Sequence, residues 1–123
     1  MHAEPKQGAS VELGVDYKRL NTFFADYVKN ISRGGTFIAT QRPLAIGTEF
    51  LFVLGVPKLE QPLVLGGTVT DVTDPEASSK ANPAGMTVEI EYESPEERKF
   101  VQDTVRALME RELGTHLTAA MLA

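Results

Sequence analysis

From Met86 to Tyr92 apolar and polar residues alternate without a break, with Met86, Val88, Ile90 and Tyr92 on one set of positions and Thr87, Glu89 and Glu91 on the other. A strand turns successive side chains to opposite faces, so a period of two demands one buried face and one wet face. Just beyond, Ser94-Pro95-Glu96-Glu97 carries the marks of a helix start: a capping serine, proline at the first helical position and a glutamate three residues after the serine. Phe100, Val101, Val105, Leu108 and Met109 then recur at helical spacing as one apolar stripe, and Gly114 is placed to end the helix. A half-buried strand handing over to an amphipathic helix needs a sheet to belong to and an apolar sheet face to receive the stripe.

The preceding segments supply the sheet. Val11, Leu13, Val15 and Tyr17 alternate with Glu12, Gly14, Asp16 and Lys18, which predicts a first strand. Asn21 and Thr22 suggest a bend, and residues 24–30, with Tyr27 and Val28 the best strand formers, read as a second strand. The turn residues Asn30, Ser32, Gly34 and Gly35 follow, then strands over 36–40, 49–56 and 63–72, the last expected to bulge at Gly66-Gly67. Residues 42–47 and 57–62 are connections, and 74–83, rich in Ser, Asp, Ala and Pro, is a loop. The expected fold is mainly β: a six- to seven-stranded antiparallel barrel over 11–113 with a C-terminal helix packed on it. Residues 1–10 are expected to be a flexible arm, and 114–123 a tail or a short helix.

At 123 residues, 42% hydrophobic and 24% charged, the chain has the size and composition of one globular domain. Its net charge of −5 gives no long-range attraction for a phosphate backbone, so nucleic-acid binding is not expected. The absence of cysteine excludes disulfides, thiolate metal sites and a cysteine nucleophile. No apolar run reaches the ~20 residues needed to span a bilayer, and no membrane insertion is expected. The polar first ten residues lack the apolar stretch of a secretion signal, so the expected compartment is the cytoplasm.

The segment Asn30-x-Ser32-x-x-Gly35, the apolar strand after it, the loop from Pro43 to Gly47, the glycine-containing strand over 63–72, the Gly85-Met86-x-Val88 segment and the closing helix together resemble the PilZ family, in its single-domain, myxobacterial form. The resemblance runs over roughly 10–113. It implies a bacterial signalling module with no catalytic residues and no cofactor, whose ligand is cyclic di-GMP. The family holds that nucleotide with the Asn/Asp-x-Ser-x-x-Gly turn and with an Arg-x-x-x-Arg pair ahead of the first strand. The corresponding stretch here, Glu4-Pro5-Lys6-Gln7-Gly8-Ala9, has no arginine. Lysine does not reproduce the bidentate, stacking guanidinium. Losing two charge-assisted pairs at about 1.5–3 kcal/mol each weakens binding by roughly two to four decades.

The candidate ligand residues are therefore Asn30, Ser32, Arg33 and Gly35, with Lys6 and Arg19 as substitute cations. The competing reading of the same turn is a plain connection between strands. Lys18, Arg19, Lys29 and Arg42 are candidates for a partial basic patch, against a default of scattered surface cations. His2 and His116 have no partners at metal-ligand spacing, and Glu89 and Glu91 fit the wet face of a strand. Phe23, Phe24 and Phe37 are assigned to the core or to helix contacts, and Leu117, Met121 and Leu122 to docking on the barrel or on a partner. The expected function is that of a non-enzymatic adaptor. It would act through another signalling or motility protein in motility, polarity or surface behaviour, with cyclic di-GMP binding weak or lost. The alternative is a working cyclic di-GMP receptor that relies on the turn and on non-standard cations.

Overall fold

A computed structural model describes residues 11–123. Its elements run β1 (Glu12–Asp16), α1 (Leu20–Lys29), a 3-10 turn (Ile31–Arg33), β2 (Gly35–Ala39), β3 (Glu49–Gly55), β4 (Leu63–Thr73), a second 3-10 turn (Pro75–Ala77), β5 (Gly85–Glu91), α2 (Pro95–Leu113) and α3 (Thr115–Leu122). The strands form a curled sheet, a half-barrel, in the order β1-β3-β4-β5-β2. Among the described residues there are five strands, not six or seven. The sheet is mixed rather than antiparallel, because β1 lies parallel to β3 from Glu12↔Leu51 to Asp16↔Gly55. Parallel neighbours require a crossover. Here α1 and β2 carry the chain to the far edge of the sheet before β3 returns beside β1.

The expected second strand is the helix α1. Leu20, Phe23, Phe24, Tyr27 and Val28 are spaced three and four apart, and Phe23, Phe24 and Tyr27 are buried on one side. Phenylalanine, tyrosine and valine favour strands, but burial of a helical stripe outweighs a preference worth less than about 1 kcal/mol per residue. Asn21 and Thr22, expected to bend the chain, lie inside this helix.

Phe50, Phe52 and Leu54 of β3, Leu63, Leu65 and Val69 of β4, and Met86, Val88 and Ile90 of β5 make the inner face of the sheet. Against it pack the α1 aromatics and Val101, Val105, Leu108 and Met109 of α2. Each large apolar side chain so buried contributes roughly 1.5–3 kcal/mol. Phe100, assigned to the α2 stripe, is 65% exposed, and Phe37 is 42% exposed rather than in the core. The bulge in β4 falls between Val69 and Asp71. Gly66 and Gly67 serve close packing instead. A Cβ on Gly67 would sit 2.7 Å from Val88 Cγ1, and one on Gly66 would sit 3.0 Å from the Glu91 carbonyl oxygen.

The start of α2 is as the sequence indicates. The Ser94 hydroxyl accepts from Glu97 N–H at 3.1 Å, and Glu97 Oε1 accepts from Glu93 N–H at 3.0 Å. Gly114, at φ +85°, ends α2, and the chain continues as the short helix α3. No helix among the described residues is long and apolar enough to cross a membrane.

Candidate functional site

Residues 30–35 join α1 to β2, and nearly every polar group in them serves that join. Asn30 N–H donates to Asp26 O at 2.8 Å, which closes α1. The Asn30 carbonyl accepts from Arg33 N–H at 3.0 Å and from Gly35 N–H at 3.3 Å. Its side-chain amide donates to Asp26 Oδ1 at 2.7 Å, and the Ser32 hydroxyl donates to the Val28 carbonyl at 3.1 Å. The two glycines do different work. Gly34 takes φ +101°, a left-handed conformation that costs a residue with a Cβ about 1–2 kcal/mol. Gly35 lies against β5, where a Cβ would stand 3.0 Å from the Val88 carbonyl oxygen.

Asp26 is the hub of this join. Besides Asn30, its carboxylate accepts from the Tyr17 hydroxyl at 2.5 Å and from Thr36 Oγ1 at 3.1 Å. Tyr17 follows β1 and Thr36 is the second residue of β2, so one α1 carboxylate ties together the two outer strands of the half-barrel. Burial first, then the hydrogen bond to Asp26 and the charge of Asp26, push the Tyr17 phenol well above its ordinary range. An acidic residue between two aromatics, within a segment read as a strand, gave no sequence signal of this role.

The other side of the turn faces α2 across a groove. One part, of about 330 Å³, is bounded by Tyr27, Ser32, Arg33, Tyr92, Arg98 and Gln102. The adjoining part, of about 400 Å³, shares Tyr27, Ser32, Arg33 and Gln102 and adds Arg106, Asp103, Met121 and Leu122. Arg98, Gln102 and Arg106 are spaced four apart and therefore form one row along α2. Burial raises the Tyr27 phenol and Tyr92 adds to the rise, while Arg106 and Arg98 pull it back. The Tyr92 phenol is likewise raised by burial, lowered by Arg98 and raised by Glu97. The two phenols and two guanidiniums are thus close enough to sense one another's charge. Arg106 stands 4.0 Å from Glu110, an exposed pair of little strength, and among the described residues Arg33 and Arg98 have no ion pair.

Of the residues singled out from the sequence, Asn30, Ser32, Arg33 and Gly35 are together, but only Ser32 and Arg33 border the groove. Arg19 caps the opposite end of α1, whose ten residues set it about 15 Å from Asn30. Lys18 adjoins Arg19 and Lys29 is at the other end, so α1 separates the members of the expected basic patch. Lys6 and His2 lie outside the described residues. Glu89 and Glu91 are exposed, and no group of three His, Asp or Glu able to hold a metal occurs among the described residues. The residues missed are Arg98, Gln102, Arg106, Tyr27 and Tyr92. The first three were legible as a row at helical spacing, and only the fold brings Arg33 opposite them. A scan against models of known protein families and a search of curated proteins both give no match.

Proposed function

We propose that this domain is a non-enzymatic signalling adaptor of the PilZ type. It acts through protein–protein interaction in the control of motility, polarity or surface behaviour, and cyclic di-GMP binding is weak or lost. The observation that carries this reading is the engagement of the Asn30 and Ser32 side chains with Asp26 and the Val28 carbonyl. A nucleotide that needs the Asn30 amide proton or the Ser32 hydroxyl proton would compete with bonds that fix the turn on the end of α1. The lack of arginine between Glu4 and Ala9 supports the same reading. The curled sheet with C-terminal helices supports the barrel-like part of this reading, while α1 stands where its second strand was expected and β1 pairs in parallel.

Calorimetric titration with cyclic di-GMP tests the ligand half of the proposal. The expected result is no heat at high-micromolar ligand, for the native chain and for Asn30→Ala/Ser32→Ala alike. Saturable low-micromolar binding that the double variant abolishes would replace the proposal with the receptor reading. Affinity capture from the native cell tests the other half. A specific partner and altered motility or polarity on deletion are expected, and neither appearing would defeat the adaptor reading.

A further inference from the structure

We infer that the groove between the 30–35 turn and α2 is the docking surface of this adaptor, and that its occupant is an extended acidic segment of a partner protein. The inference rests on the adaptor reading and gives that partner a chemistry. Three guanidiniums border the groove in a chain whose net charge is −5. Arginine is the side chain best shaped to take a carboxylate with two parallel hydrogen bonds. Of the acids near it, Asp103 is paired with Lys99 at 2.6 Å, Glu110 reaches Arg106 only at 4.0 Å, and Glu97, whose charge acts on Tyr92, accepts from the Glu93 N–H at 3.0 Å.

Shape selects a linear occupant. The two parts of the groove share Tyr27, Ser32, Arg33 and Gln102, so they form one elongated depression with Arg98 at one end and Arg106 at the other. Eight residues of helix separate those arginines by about 12 Å. An extended chain places side chains four residues apart on one face, at a spacing of about 13 Å. Two carboxylates at that interval match the outer arginines, with Arg33 facing the middle of the segment. Met121 and Leu122 offer an apolar wall on the Arg106 side. A compact anion would engage one end and leave the opposite guanidinium unmatched.

The test is amide NMR titration of the full chain with a capped nonapeptide of Gly and Ser, carrying Glu at the third and seventh positions and Leu at the fifth. The expected result is saturable shifts confined to the turn, α2 and the 121–122 region, with no response to the same peptide carrying Lys for Glu. Arg98→Glu/Arg106→Glu should weaken the acidic peptide by at least about tenfold and gain affinity for the lysine peptide. Arg98→Gln/Arg106→Gln should lose the first without gaining the second. Both variants alter exposed side chains, and a native melting curve confirms their fold. The inference is overturned by no shifts at millimolar peptide, by equal response to both peptides, or by pyrophosphate perturbing the groove where the acidic peptide does not. The cellular capture experiment reads the adaptor function separately, so a partner retained by Arg98→Glu/Arg106→Glu would sink the groove and leave the adaptor standing.

Discussion

On the α1 side of the 30–35 turn, the Asp26 carboxylate is met by Tyr17, Asn30 and Thr36 at 2.5–3.1 Å. On the α2 side, Arg33, Arg98 and Arg106 border a groove, and none of them has an ion pair closer than 4.0 Å among the described residues. One short connection thus separates a polar cluster whose groups satisfy one another from one whose charges face outward. The first kind of cluster stabilises the fold, since removing a member strands its partners half-buried. The second contributes little to folding, because exposed charges are solvated with or without neighbours. Of the residues to which the family resemblance points, Asn30 belongs to the first kind, whereas Ser32, bonded to the Val28 carbonyl, and Arg33 border the groove. The side chains able to receive something from outside belong to the second.

The strongest challenge to this contrast is Asp26→Ala. It strands the Tyr17 and Thr36 hydroxyls and frees the join of α1 to both outer strands, so urea denaturation should show a loss of about 2–4 kcal/mol. A loss below about 0.5 kcal/mol would mean that Asp26 holds nothing together.

Tyr17→Phe comes next, at about 1–1.5 kcal/mol near neutral pH. It also has a pH signature. Burial and Asp26 raise the Tyr17 phenol in the folded state, so the native protein holds that proton more tightly than the unfolded chain does. The stabilisation is complete below the unfolded value of about 10 and is lost as pH rises above it toward the folded value. Tyr27 and Tyr92 are raised in the same direction. Stability should therefore fall steeply above about pH 10, and less steeply in Tyr17→Phe. Parallel curves for the two proteins would show that the phenol carries no such linkage.

Ser32→Ala removes one side-chain bond to the Val28 carbonyl and should cost about 0.5 kcal/mol, with the far-ultraviolet spectrum unchanged. The smallest stability effect is expected on the other side of the turn. Arg98→Gln/Arg106→Gln should shift stability by less than about 0.5 kcal/mol. A loss above about 2 kcal/mol would move those arginines from the open cluster to the structural one.

Legibility in the sequence followed the range of the interactions involved. β5 and the start of α2 could be read because alternation and capping are properties of neighbouring residues: Met86 to Tyr92 alternates, and Ser94 bonds Glu97 three residues away. α1 resembles a strand in sequence because Phe24, Tyr27 and Val28 suit a strand by type, and only their spacing with Leu20 and Phe23 reveals the helical face. Gly66 and Gly67 look like a backbone irregularity in sequence, whereas their cause is Phe50, Val88 and Glu91 on neighbouring strands, and the bulge lies at Val69/Asp71. Asp26 and the arginine groove show the same limit, for their partners lie 4 to 10 residues away for Asp26 and about 65 to 73 away between Arg33 and the row on α2.

By itself the sequence determined that this chain makes a sheet with one wet face, that a capped amphipathic helix follows its last strand, and that the 30–35 turn needs a residue able to take positive φ. Each of these is set by side-chain period or local backbone sterics, which act over a few residues. Only the tertiary structure decided that β1 would lie parallel to β3, that Asp26 would join the two outer strands, and that Arg33 would face Arg98 and Arg106. Those outcomes depend on which distant segments share the burial of Phe23, Phe52 and Val105, and burial is non-directional: it rewards covering apolar surface without specifying in the local pattern which partner covers it.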